Sequence, residues 1–257
     1  MPEYKATSLK DLRRDALSDS IQAVSFDLFD TLLLRRCQPE LSRLGDIAAA
    51  QAKALSISFV IKAEALYKAR LRIQKDAFER VQHGKSAEVT HAEMIRSLRR
   101  QCNLPPEADH ILAKAEIEWE CRAVKANREL ATLCTDIMAH KPVILTSDMY
   151  LPEKALRTIL QQQIPRLASL PLVVSADRAA TKRSGKLFHW LIKHLGVPSS
   201  AILHTGDNMH SDVRMAAMAG LEARWLPRSH MYRATLALRD TWTRKRLRQR
   251  GWIGRIN

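Results

Sequence analysis

Residues 23–33, A-V-S-F-D-L-F-D-T-L-L, form a short apolar run that ends in two carboxylates, Asp27 and Asp30. Its apolarity up to Asp27 is nearly continuous rather than alternating, which suits a strand covered on both faces. A carboxylate at the mouth of such a strand sits where open parallel sheets bind their ligands. Phe29 stands between the two acids and bears on what chemistry they can do.

Four further runs of the same kind follow: P-V-I-L-T-S from Pro142, L-P-L-V-V-S from Leu170, A-I-L-H-T-G from Ala201 and L-E-A-R-W-L from Leu221. Helical stretches separate them, the pattern of an α/β chain with a Rossmann-like, doubly wound parallel sheet. Residues 36–130 read differently, with no strand-like run. There F-V-I-K-A-E-A-L-Y-K-A-R-L-R-I-Q from Phe59 has helical character, and T-H-A-E, with Thr90 and Glu93, fits a capping box. His83-Gly84-Lys85 and Leu104-Pro105-Pro106 punctuate the segment. The expected organisation is a core of residues 1–35 and 131–228, an inserted all-helical cap of residues 36–130 over the sheet's carboxyl edge, and a basic carboxyl-terminal helix of residues 229–257.

A chain of 257 residues can bury a substantial core. The opening M-P-E-Y-K-A-T-S-L-K has no apolar run of signal-peptide length, and nowhere do about 18 consecutive apolar residues occur, so a cytoplasmic protein is expected. Cys37, Cys102, Cys121 and Cys134 lack metal-site spacing and read as free thiols. Of the net charge of +15, most lies in residues 224–257, with ten Lys or Arg against one acidic residue, Asp240.

The strand ends carry a coherent set of groups. Asp27 closes the first strand; Ser147, followed by Asp148, closes the second; Lys182 lies in the loop beyond Ser175; and Gly206-Asp207, with Asp212 following, closes the fourth. A carboxylate can attack phosphorus if the charge repulsion is screened. Mg²⁺ on Asp27 and Asp207, with Asp212 as a further candidate ligand, would screen it. Ser147 and Lys182 would hold phosphoryl oxygens, and backbone N–H groups of Leu28 and Phe29 would complete the cradle. Asp148 is a further substrate-binding candidate. Plainer roles compete: Ser147 and Asp212 also suit helix capping, Asp30 suits local backbone bonding, and Lys186 competes with Lys182.

The order D-x-x-D-T at Asp27 to Thr31, Ser147, T-K-R-S-G-K-L-F around Lys182 and G-D-N-M-H-S-D at Gly206 to Asp212 resembles the haloacid dehalogenase superfamily, mostly phosphatases. The helical insertion is similar to its first-type cap. S-F-D-L-F-D-T-L-L, T-S-D-M-Y-L-P and T-K-R-S-G-K-L-F look like a bacterial subgroup of predicted hydrolases associated with glycosyltransferases of surface-polysaccharide synthesis. The resemblance implies Asp27 as nucleophile, Ser147 and Lys182 as phosphoryl-orienting groups, Asp207 and Asp212 as magnesium ligands, and the Phe29 carbonyl as a backbone ligand. It also exposes a departure. The family's phosphatases carry an aspartate general acid two residues after the nucleophile, and here that residue is Phe29, as it is aromatic in the superfamily's dehalogenases. Asp30 is then the candidate acid/base, with Asp148 and His210 behind it.

The expected function is magnesium-dependent hydrolysis of a small phosphorylated metabolite. The alternatives are a non-catalytic domain that binds a phosphorylated ligand or a glycosyltransferase partner, and a metal-independent dehalogenase. The segment from Ser229 reads as a helix with a basic end. It is either a solvated helix, a dock for an acidic partner, or a contact with anionic lipid at the inner membrane face through its Arg and Lys, with Trp242 and Trp252 at the interface. It carries no recognised nucleic-acid module, so nucleic acid is not an expected partner.

Overall fold

A computed structural model describes residues 4–82 and 89–253; His83-Gly84-Lys85 lies outside the described residues. The chain divides into two compact units, Met1–Arg35 with Val124–Arg228, and Arg36–Ala123 with Ser229–Asn257.

The first unit is built on strand β1 (Ala23–Asp27), every residue of which is buried. A short ribbon follows, β2 (Leu33–Arg35) antiparallel to β3 (Val124–Ala126), with Leu33 opposite Ala126. The remaining strands are β4 (Val143–Ser147), β5 (Leu172–Val174), β6 (Ile202–Gly206) and β7 (Glu222–Trp225). Five of them form one parallel sheet in the order β5-β4-β1-β6-β7. The apolar runs of the sequence are these strands, and the burial of every residue of β1, β4, β5 and β6 explains their lack of alternation, while the edge strand β7 is only partly buried. Ile144, Val173 and Ile202 pack with Leu187, Phe188 and Leu191 of the helix Lys186–Leu195, each fully buried aliphatic or aromatic side chain contributing about 1.5–3 kcal/mol.

That order places β1 at the centre, with β4 on one side and β6 on the other. Asp27 pairs in register with Thr146, so Ser147 ends the adjacent strand one residue further on. The other flank contributes Gly206 and the loop after it.

The boundary expected at residue 130 falls earlier, because residues 124–130 are tied to the loop that follows Asp27. Asn127 donates its side-chain amide to the Thr31 carbonyl (3.0 Å) and its backbone N–H to the Leu32 carbonyl (2.9 Å). It also caps the helix Arg128–Met138. The three-residue strand Val124–Ala126 was not legible as a strand, being too short to show a pattern.

Among its described residues the second unit holds four helices before the chain returns to the sheet, α1 (Glu40–Leu55), α2 (Ala63–Gln82), α3 (His91–Gln101) and α4 (Ala108–Ala123), and a fifth, α5 (His230–Gln249). The capping box of Thr90 and Glu93 is present in full. The carboxyl-terminal segment is therefore not a separate tail: Leu247 joins the core of Leu55, Leu66, Tyr67 and Leu112, and the Trp252 ring lies 5.2 Å from that of Tyr67. Trp252 is thus part of this core rather than an exposed interfacial group. Within the same unit Arg70 grips buried Glu116 through two bonds of 2.7 and 3.0 Å, and His91 approaches it at 3.2 Å. Burial alone would raise the Glu116 carboxyl, but Arg70 and His91 hold it well below the usual carboxylate range.

Candidate active site

Asp27 ends β1 almost wholly buried. One carboxylate oxygen accepts a 2.7 Å bond from the Thr31 hydroxyl, and the other is met by the Lys182 ammonium. Lys182 is itself buried, and its Nζ also lies 2.5 Å from Asp212 Oδ1. Lys186 is exposed at the start of its helix, so burial decides between the two lysines.

Asp27, Asp207 and Asp212 each offer an oxygen within 4.8 Å of the others. Asp207 follows β6 directly. Asp212 reaches the cluster from a turn of π-helix, Met209–Arg214, whose amino end is capped by Asn208 accepting from His210 and Ser211. Asn208 does the capping and its own N–H donates to Asp212 Oδ2 at 2.9 Å. Gly206 is required beside it, since a Cβ there would lie 2.5 Å from the Asp212 carboxyl.

Behind Asp212 stands His204, fully buried in the middle of β6. Its Nδ1 is 2.9 Å from the Ser25 hydroxyl, its Nε2 is 3.5 Å from Asp212 Oδ1, and its ring packs edge-on against Phe188. Burial lowers its pKa, against the pull of Asp212. His204 was not singled out from the sequence, although an imidazole inside an apolar strand, three residues before a strand-end aspartate, was the available signal.

Three carboxylates surround one ammonium. Burial, reinforced by Asp212 and opposed by Lys182, pushes Asp27 up to about 7, and burial with the charges of Asp27, Asp30 and Asp212 pushes Asp207 up to about 8. For Asp212, burial is outweighed by Lys182 and His204, which hold it well below its ordinary value. Lys182 is raised by Asp212 and Asp27 despite its burial. The donor set is hard oxygen and, with all three carboxylates ionised, carries two negative charges that Lys182 does not neutralise. Such a set fits a divalent cation of the Mg²⁺ kind, which takes a few carboxylates and leaves its other positions to water and phosphate.

Two candidates occupy different roles from those expected. Asp148 does not enter the cluster: its two carboxylate oxygens accept the backbone N–H groups of Lys182 (2.7 Å) and Arg183 (3.1 Å). It is a positioning residue for the lysine loop, an arrangement that residue spacing could not show. Asp30 has a left-handed φ of 61°, a conformation Asp tolerates better than most residues. Its Oδ1 accepts from Arg228 Nη1 at 2.7 Å and from the Arg35 N–H at 3.3 Å, while Oδ2 accepts from Arg35 Nη1 at 3.3 Å. Both Asp30 oxygens are thus bonded to guanidinium groups, an arrangement the spacing of the motif did not show. Phe29 is nearly buried, and the Arg35 guanidinium lies 4.2 Å above its ring. Leu28 is buried and its carbonyl accepts the Leu33 N–H at 2.8 Å, which folds the loop back beside the strand end. His210 is exposed.

The fold is similar to that of several solved structures. L-2-haloacid dehalogenase of Xanthobacter autotrophicus is 19% identical, with 83% of this chain and 81% of that one covered and a TM-score of 0.53. A HAD family enzyme of Bacteroides thetaiotaomicron is 12% identical, covering 82% and 95%, with a TM-score of 0.54. A HAD hydrolase of Bacillus subtilis, solved bound to magnesium, is 13% identical over 80% and 86%, with a TM-score of 0.50. A search of curated proteins finds no match. The model of the haloacid dehalogenase-like hydrolases matches residues 21–220, the span from just before β1 to the turn before β7. That match covers most of the chain, and the protein belongs to the haloacid dehalogenase-like hydrolase family.

Proposed function

We propose that the protein is a magnesium-dependent phosphohydrolase that acts on a small phosphorylated metabolite through an aspartyl-phosphate on Asp27. The observation that carries this reading is the grouping of Asp27, Asp207 and Asp212 within 4.8 Å around a buried lysine. Displacement of halide from a haloacid would use Asp27 but leave the other two carboxylates without a task.

Asp27, Asp207 and Asp212, with the Phe29 carbonyl, would hold Mg²⁺, which would screen the repulsion between Asp27 and an incoming phosphoryl group. Thr31 fixes one Asp27 oxygen, and Lys182 neutralises the other until substrate arrives. A carboxylate oxygen of Asp27 then bonds to phosphorus as the bond to the leaving oxygen breaks, its electron pair departing with the leaving group. Ser147, at the end of the adjacent strand, and Lys182 hold the remaining phosphoryl oxygens. Water then attacks phosphorus, loses its proton to solvent, and releases phosphate with Asp27 restored.

Phe29 shapes the substrate class. A positioned general acid typically contributes about 10²–10⁴ in rate for poor leaving groups, and neither Phe29 nor the doubly paired Asp30 supplies one. Acyl phosphates and anhydrides leave unaided and are the expected substrates; sugar phosphates of polysaccharide precursors, and a glycosyltransferase partner, rest on the motif resemblance alone. Phe29 also favours a second reading, a non-catalytic domain that binds a phosphorylated ligand.

Phosphate release from acetyl phosphate and a panel of sugar phosphates, with and without Mg²⁺, separates the two. Magnesium-dependent turnover, lost in Asp27→Asn and strongest on acetyl phosphate, is the expected result. Binding of phosphorylated ligands without turnover of any would establish the second reading.

A further inference from the structure

The helix α5 packs one face into its own unit, burying Thr243 and Leu247. Its opposite face exposes three large apolar side chains, Met231 (80%), Leu238 (74%) and Trp242 (61%). Their spacings of seven and four residues align them in one stripe, about 16 Å long at the rise of an α-helix. Lys245 and Arg248 lie on one side of the stripe and Arg239 and Arg246 on the other, all exposed, with Arg239 Nη1 also donating to the Cys37 carbonyl at 2.5 Å. The Arg246 guanidinium sits 5.3 Å from the Trp242 ring centroid. The helix's acidic residue, Asp240, is turned toward the packed side and bonded to Arg244 Nε at 2.6 Å.

An apolar stripe between two rows of cations, with no acidic residue of the helix on that face and Asp46 of α1 beside Trp242 at its edge, matches one kind of partner. Anionic headgroups take the cations while the boundary with the acyl chains takes Met231, Leu238 and Trp242. A nucleic-acid backbone would satisfy the cations and leave the stripe in water. An acidic peptide could pair the cations but would need an apolar face of matched spacing. Among the described residues no helix is long and apolar enough to cross a membrane, so the geometry suits a helix lying in the interface. We propose that this face of α5 docks on an anionic phospholipid bilayer. The idea does not depend on the chemistry assigned to Asp27.

The test is co-sedimentation of the full chain with phosphatidylcholine vesicles, with and without phosphatidylserine, at low salt. The expected result is pelleting that requires phosphatidylserine. Each basic residue near such a surface contributes about fivefold, so Lys245→Gln, Arg246→Gln and Arg248→Gln together should weaken binding on the order of a hundredfold. Leu238→Ser and Trp242→Ser should each weaken it about tenfold. All five positions are exposed, and an unchanged thermal melt verifies the fold of each variant. Quenching of fluorescence by brominated lipid, present in wild type and reduced in Trp242→Phe, reports insertion independently of the other variants. Failure to pellet would overturn the proposal. So would pelleting that is indifferent to Leu238 and Trp242, or preferential retention by a DNA duplex over vesicles at the same salt.

Discussion

Lys182→Met removes the cation that meets Asp27 and Asp212 while nearly preserving its volume. Asp27 and Asp212 both lie against that ammonium and both are buried; Asp27, already pushed up to about 7, takes up a proton when the cation goes, and the variant leaves the Asp212 carboxylate without its counter-charge. Removing one partner of a buried ion pair costs about 3–5 kcal/mol. At about 2–4 °C per kcal/mol for a protein of this size, the melting point of the metal-free protein should fall by roughly 6–20 °C. The penalty belongs to the ionised carboxylate, so it should fade in acid, where Asp212 is protonated too. Mg²⁺ should then raise the melting point of the variant by more than that of wild type, since it replaces the lost cation as well as filling the site. The assay is thermal unfolding followed by circular dichroism, in chelator and in excess Mg²⁺, near neutral pH and in mild acid. A variant as stable as wild type in chelator, or one that Mg²⁺ stabilises less than wild type, would refute this picture of a charge-starved carboxylate cluster.

The remaining expectations concern the groups around that cluster. Gly206→Ala places a methyl group 2.5 Å from the Asp212 carboxyl; overpacking should cost about 1–3 kcal/mol, and calorimetric titration should show weakened Mg²⁺ or Mn²⁺ binding. An affinity unchanged from wild type would mean that Asp212 is not a ligand. Asp148→Ala frees two backbone N–H groups of the lysine loop and should destabilise the protein by about 1.5–3 kcal/mol, as lost charge-assisted bonds do; a neutral effect in a denaturant titration would remove its positioning role. Asp27 and Asp207, raised to about 7 and 8, keep their protons in the folded state after the unfolded chain has shed its own. The folded state then binds more protons, so the metal-free protein should lose stability as pH rises from about 4 to 8. Asp212, shifted the opposite way, adds stability that is lost only in stronger acid. Saturating Mg²⁺ should flatten the decline, and a metal-free protein whose denaturation midpoint climbs steadily across that range would contradict the assignment.

The parallel sheet was readable because buried strands leave continuous apolar runs, and four runs beyond β1 appear as β4 to β7. The strand-end groups were readable for the same reason, since a parallel sheet brings its carboxyl ends to one edge. What spacing could not give was side-chain direction. Asp148 and Asp207 are both aspartates just beyond a strand end, yet one turns to backbone amides and the other joins the carboxylate cluster. Asp30 sits next to the acid/base position, but Arg35 and Arg228 claim it, and Arg228 lies nearly two hundred residues away in the chain. His204 was hidden inside a strand recognised only by its apolarity. The β2–β3 ribbon is too short to carry a period, so the boundary after the helical insertion was placed a few residues late. Helix α5 was legible as a helix, but its membership of the second core depends on Leu247 and on contacts that no local pattern encodes.

The central claim is a covalent phosphoryl group on Asp27, and acid quenching of the protein during turnover of acetyl phosphate with Mg²⁺, followed by intact-mass measurement, tests it most directly. The account predicts an adduct of one phosphoryl group, removed by hydroxylamine as an acyl phosphate should be, and absent from Asp27→Asn. Phosphate release with no trapped adduct, or an adduct that persists in Asp27→Asn, would contradict it.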